Sequence, residues 1–201
     1  MTHLNPSPQI LAKHREAHWQ SYRRLPAYVV PSHWRHWLLD RGSLTQRLVA
    51  ASGGQFRVRI LSQAIAKPRR SEAKVLGIAN SHLAVIREVI LYGKDQPWVY
   101  ARSVLPLSSL TGRLARLRNL DERPLGAILF ADPSMRRSKL ELARVQPAKV
   151  ALPVELGIFD TPLWGRRSVF YLADKPLLVS EIFLPTFTPA NSAPNDLSGH
   201  H

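Results

Sequence analysis

With 201 residues, 45% of them hydrophobic, the chain can bury one sizeable core, so a single domain is expected. Cysteine is absent, which excludes disulfides, thiolate metal sites and cysteine nucleophiles and suits the reducing cytoplasm. Lys and Arg number 28 against 14 acidic residues, and this net charge of +14 suits either a polyanion or a small dianion steered into a cleft.

Residues 1–26 are polar and form a basic, partly irregular lead-in without the apolar stretch of a secretory signal. Pro31 and Ser32 open a helix reaching residue 40, with Trp34, Trp37 and Leu38 at helical spacing as core anchors. Gly42 ends it, and Ser43 caps a second helix to about residue 51. Residues 55–60 alternate apolar and basic side chains, as a strand with one wet face does. Residues 62–80 look polar and loop-like. Residues 83–92 are apolar on both faces apart from Arg87 and Glu88, the pattern of a central strand. A turn at 93–96 returns the chain as a hairpin partner over 97–105. Helices are expected at 108–120 and 123–130, and a strand at 136–146. A second hairpin joins 166–172 to 177–184 around Ala173 and Asp174.

Residues 188–201 lack any core-forming pattern, and a disordered tail is expected there. No apolar run approaches the roughly 18–20 residues of a membrane span. Together these elements predict an α+β domain over residues 27–187: about six mostly antiparallel strands with helices packed on one face. The sequence has no phosphate loop, dinucleotide fingerprint or nucleophile elbow. His33 and His36 share a helix spacing but have no obvious third ligand, so neither a metal nor a cofactor is expected.

Charges inside apolar strands are the informative anomalies. If Lys94 and Asp95 form a two-residue loop, Arg87 and Arg102 face each other on one side of the sheet. Two opposed guanidiniums repel unless anions lie between them, and a dicarboxylate would supply that compensation. Alternatively, one arginine pairs with a protein carboxylate, and a one-residue slip sends the two to opposite faces. Glu181 is the only ionisable residue of its strand. It is either an acid or base with a raised pKa, or the partner of Arg166, which it faces if Ala173 and Asp174 form the loop.

IREVIL at 86–91, QPW at 96–98, ARSVLP at 101–106 and LTG at 110–112 closely resemble the chorismate pyruvate-lyase family. So do RPLG at 123–126, LF at 129–130, LWGRRS at 163–168, KPLL at 175–178 and EIFLP at 181–185. These blocks keep the family's order from about Trp34 to Pro185. The lead-in, the tail and the loop around residues 146–162 lie outside the pattern.

The resemblance implies a six-stranded antiparallel sheet with helices on one face. It also implies conversion of chorismate to 4-hydroxybenzoate and pyruvate without metal or cofactor, the first committed step of ubiquinone synthesis. By the same resemblance, Arg87 binds the ring carboxylate and the backbone at Leu44 and Leu125 lines and closes the pocket. Glu181 hydrogen-bonds the ring hydroxyl, and Arg102 is assigned to the enolpyruvyl carboxylate. Leu44 stands where family members usually carry Met, an exchange a backbone contact tolerates. A product held this way leaves slowly, so inhibition by 4-hydroxybenzoate is expected, with segments around Leu44 and Leu125 as flaps.

A monomer is expected. Two other readings compete. One is a non-catalytic module binding small aromatic acids, of the kind attached to bacterial transcription regulators. The other is a nucleic-acid binder, which needs its arginines on a continuous surface rather than converging in a closed pocket.

Overall fold

The structure is a computed structural model that describes residues 16–150 and 152–188. The expected disorder of the tail, and the lead-in before residue 16, lie outside these residues. Eight strands form one antiparallel sheet: β1 (Gln20–Ser21), β2 (Phe56–Ala66), β3 (Ala84–Gly93), β4 (Gln96–Pro106), β5 (Arg136–Arg137), β6 (Glu141–Val145), β7 (Leu163–Leu172) and β8 (Lys175–Phe183). Their spatial order is β1-β6-β7-β8-β4-β3-β2, with β5 beside β7. β1 and β5 are only two residues long, so the six longer strands answer to the six expected from the sequence.

Both hairpin turns form as expected. Lys94 and Asp95 have φ of 51° and 57°, and Ala173 and Asp174 have 46° and 64°. Two consecutive left-handed residues make the turn whose twist matches antiparallel strands. Around Ala173 and Asp174 the register holds throughout, and Arg166 pairs with Glu181.

The β3–β4 hairpin departs from its expected register. Gly93 pairs with Gln96 and Tyr92 with Pro97, but Leu91 then pairs with Val99, leaving Trp98 as an extra residue. This bulge shifts every later pair by one. Arg87 therefore pairs with Ser103 and Glu88 with Arg102, so the two arginines point to opposite faces. The bulge exists because the indole of Trp98 folds over Gly93, where a Cβ would run into the ring. Both Trp98 and Val99 join the core on the Arg87 face.

The Arg87 face carries α1 (Ser32–Leu38), α2 (Leu44–Ala51) and α4 (Leu125–Ala131). Trp37 and Leu38 of α1 and Leu48 of α2 are fully buried against Val89, Leu91, Val99 and Phe183. Burying each such aliphatic side chain contributes about 1.5–3 kcal/mol. Ser43 caps α2 as expected, its hydroxyl accepting from the Gln46 N–H at 3.3 Å. Leu125 and Leu129 of α4 pack with Leu114 and Leu117 of a 3-10 helix over Gly112–Arg118. A full helix over 108–120 does not form: Thr111 is extended and Gly112 left-handed with φ of 56°.

One helix lies on the other face. α3 (Arg70–Leu76) occupies the stretch that reads as loop, and its Leu76 packs on Ile86, Val104 and Leu178. Gly77 ends it in the left-handed region. The helical pattern is hidden because Glu72, one of its inward residues, is charged yet only 3% exposed. β2 also runs six residues beyond its expected end at residue 60, past an irregularity between Ile60 and Ser62. No helix among the described residues is long and apolar enough to cross a membrane.

Gly93→Ala forces the Trp98 ring from its seat and should cost about 1–3 kcal/mol in urea unfolding. Unchanged stability would mean that the bulge does not depend on this contact.

Candidate active site

Period two places alternate residues of β3, β4, β8 and β7 on the face covered by α2 and α4, and between them lies a pocket. Its floor is Val89, Ala101, Ser103 and Val179; Leu44, Leu125, Leu129, Phe130 and Phe170 form its walls. Thr45 and Gly126 bring α2 and α4 together above it. A Cβ on Gly126 would lie 2.7 Å from the Thr45 hydroxyl, so glycine permits this approach. Leu44 and Leu125 are the first residues of their helices, where backbone N–H groups have no acceptor within the helix.

Four ionisable side chains line this pocket: Arg87, Arg137, Arg166 and Glu181. Arg87 is 2% exposed and its Nη2 donates to the carbonyls of Asp121 at 2.5 Å and Arg123 at 3.3 Å. Its Nε is buried without a partner among the described residues. Burial lowers the Arg87 pKa, and the charge of Asp121 offsets only part of that.

Arg166 faces Glu181 across β7 and β8 and donates from Nε to Oε2 at 2.6 Å. Its Nη1 donates to the carbonyls of Trp37 at 2.6 Å and Asp40 at 3.1 Å. The salt bridge expected as one reading of Glu181 is therefore present. It engages only Oε2, and Oε1 has no hydrogen-bond partner among the described residues.

Arg137 is the pocket residue that sequence reasoning missed. Arg136-Arg137 looks like a solvated basic doublet. Because adjacent strand residues point to opposite faces, one of the two had to point inward. Arg136 pairs with Asp174 at the surface, whereas Arg137 turns in, its guanidinium 4.9 Å from the centre of the Phe170 ring. Arg137 Nε donates to Ser168 Oγ at 3.1 Å, and Nη1 to the carbonyls of Asp40 and Gly42, each at 3.4 Å. Burial, and then the like charge of Arg166, push its pKa down to about 10.

Arg102 is not in this pocket, which corrects its expected pairing with Arg87 and its assignment to substrate. On the opposite face it meets Glu72 of α3 at 2.7 Å and Glu88 at 2.9 Å. Glu88 also accepts from Tyr100 at 2.5 Å and Ser62 at 2.8 Å. Burial alone would lower the Arg102 pKa, but its bonds to Glu72 and Glu88 more than offset this and raise it. Burial would likewise raise the Glu88 pKa; the Tyr100 and Ser62 bonds and then Arg102 hold it below the usual 4.5. Arg87, Arg166 and Arg167 are all buried, so these three belong to no exposed basic surface. His33 and His36 lie on α1, and no group of three potential metal ligands occurs among the described residues.

Arg102→Ala leaves buried Glu72 and half-buried Glu88 without their cation and should cost about 3–5 kcal/mol in urea unfolding. Acid should erode the same network. A carboxylate with a depressed pKa stabilises the fold fully above its unfolded value of 4.5, and this contribution is lost as pH falls through the folded value. The acid-unfolding curve of Glu88→Gln should therefore be shallower below pH 4.5 than that of the parent.

Residues 14–191 match the family model described as chorismate lyase. A protein of Methylococcus capsulatus named probable chorismate pyruvate-lyase is 44% identical over 150 residues, covering 74% of this chain and 93% of that protein. One of the same name from Aromatoleum aromaticum is 41% identical over 172 residues, covering 82% of this chain and 91% of its own. Among solved structures, PhnF from Mycobacterium smegmatis has a TM-score of 0.52 at 16% identity, covering 74% of this chain and 66% of that one. Its effector domain scores 0.51 at 17% identity, covering 72% and 90%. These two structures share the fold alone. The matched span holds every charged residue of the pocket, and the chain belongs to the chorismate lyase family.

Proposed function

We propose that the chain is a chorismate pyruvate-lyase, which converts chorismate to 4-hydroxybenzoate and pyruvate at the first committed step of ubiquinone synthesis. The observation that carries this reading is Arg87, a buried guanidinium whose Nε has no partner among the described residues, in a pocket where those residues supply a single carboxylate, Glu181. A buried cation of this kind is stabilised by an anionic ligand with matching hydrogen-bond geometry.

In this reading the ring carboxylate of chorismate binds Arg87, and the backbone N–H groups of Leu44 and Leu125 border it. Glu181 uses Oε1 to accept from the ring hydroxyl while Arg166 holds Oε2. The reaction removes the hydrogen of the ring carbon that bears the hydroxyl and breaks the ether bond at the neighbouring carbon. The side chain leaves as enolpyruvate, which tautomerises to pyruvate, and the ring becomes aromatic. Aromatisation drives the reaction, so the protein contributes orientation, charge neutralisation and exclusion of water. In the same reading Glu181 helps move the ring proton.

The lid made by α2 and α4 supports slow departure of the product, and hence inhibition by 4-hydroxybenzoate. A monomer is part of this reading, and the cysteine-free composition supports a cytoplasmic location.

Purified protein incubated with chorismate and EDTA should release equimolar 4-hydroxybenzoate and pyruvate, resolved by chromatography. Arg87→Ala should lower kcat/KM at least ~100-fold, the loss of a charge-assisted hydrogen bond near its upper worth of about 3 kcal/mol. Glu181→Gln should keep product affinity within about tenfold and lose turnover if the carboxylate takes part in proton transfer. No hydroxybenzoate from the parent protein would sink the proposal.

A further inference from the structure

Chorismate carries two carboxylates, and Arg87 accounts for one. With Arg102 on the far face, bound by Glu72 and Glu88, the second needs another cation. Arg166 is engaged through Nε by Glu181 and through Nη1 by two carbonyls. Arg137 is different: its bonds go only to a hydroxyl and two backbone carbonyls, and Nη2 has no partner among the described residues. Among the described residues it forms no ion pair, unlike Arg102, Arg113, Arg136, Arg166 and Arg167.

Its position is also specific. The carbonyl of Asp40 accepts from Nη1 of both Arg137 and Arg166, which sets the two guanidiniums side by side. Arg166 in turn grips Glu181, so Arg137 lies at the Glu181 end of the pocket. In chorismate the enolpyruvyl ether sits on the ring carbon next to the one bearing the hydroxyl. A hydroxyl bound at Glu181 therefore brings the side-chain carboxylate to this end, away from Arg87.

We propose that Arg137 is a substrate-binding residue that holds the enolpyruvyl carboxylate through its open guanidinium edge. The assignment rests on the chorismate-lyase reading above. Ser168 and the carbonyls of Asp40 and Gly42 fix the plane of the guanidinium, and the Phe170 ring backs it. Among the described residues Arg87 and Arg137 are then the two pocket cations without a protein carboxylate, one for each carboxylate of the substrate. Departure of enolpyruvate carries its charge away along Arg137, and the phenol product keeps its contacts to Arg87 and Glu181 but none to Arg137.

The test compares two inhibitors by calorimetry, 3-carboxymethoxy-4-hydroxybenzoate and 3-ethoxy-4-hydroxybenzoate, which lacks the side-chain carboxylate but keeps the one on the ring. In the parent protein the extra carboxylate should tighten binding about 10- to 100-fold, and Arg137→Met should abolish the difference. The same variant should lose at least ~30-fold in kcat/KM for chorismate while its affinity for 4-hydroxybenzoate changes less than about threefold, since that contact lies elsewhere. Arg137→Lys, which keeps the charge, should recover part of the discrimination. Equal binding of the two inhibitors by the parent protein overturns the proposal without any variant. Parallel losses for chorismate and 4-hydroxybenzoate in both variants overturn it too, by showing a purely structural arginine. If instead the parent protein yields no product from chorismate, the lyase reading itself fails, which the binding comparison keeps distinct.

Discussion

The register of the β3–β4 hairpin governs the chemistry of both faces of the sheet. Its turn allows only one start, with Gly93 opposite Gln96, and the indole of Trp98 then claims the space above Gly93. That inserts one residue into β4 and turns Arg102 away from Arg87. Without the bulge, two guanidiniums would oppose each other on the pocket floor and Glu88 would have no cation. With it, Arg87 stands alone toward the pocket, and Arg102 lies between two carboxylates on the other side.

The two faces consequently do different work. On the α3 face, charges are closed into pairs: Arg102 with Glu72 and Glu88, and Arg167 with Glu141 at 2.6 Å. Arg167 also donates to Ser71 of α3 at 3.1 Å, so this short helix is held by polar contacts as well as by Leu76. On the pocket face the account is left open, with three guanidiniums around one carboxylate. Burying a cation without its counter-ion is unfavourable, and a ligand that binds only the folded chain returns that free energy as stability. The pocket is thus arranged to favour anions before any ligand arrives. The close approach of Gly126 to Thr45 lets α2 and α4 cover it, which strengthens each charge contact by excluding water.

What could be read along the chain is what depends on neighbouring residues. Ser43 caps α2 because its hydroxyl reaches a backbone N–H three residues on, and the Ala173-Asp174 turn sets the facing of Arg166 and Glu181 through simple counting. The blocks of family resemblance likewise fall on β3, β4, α4, β7 and β8, whose residues line the pocket. By contrast, α3 went unseen because one of its buried residues is Glu72, and Arg102, 30 residues away, joins the Arg69 backbone N–H in making that placement favourable.

The sequence by itself therefore determined the α+β class, the six principal strands, both tight turns, and the facing of Arg166 and Glu181. It did so through periodicity and local hydrogen bonding, which need no knowledge of the rest of the molecule. The tertiary structure alone decided which face Arg102 takes, that α3 exists, and that Arg137 joins the pocket. Those outcomes depend on packing between distant segments: an indole over a glycine, a carboxylate delivered by a helix, and a carbonyl at Asp40 shared by two arginines.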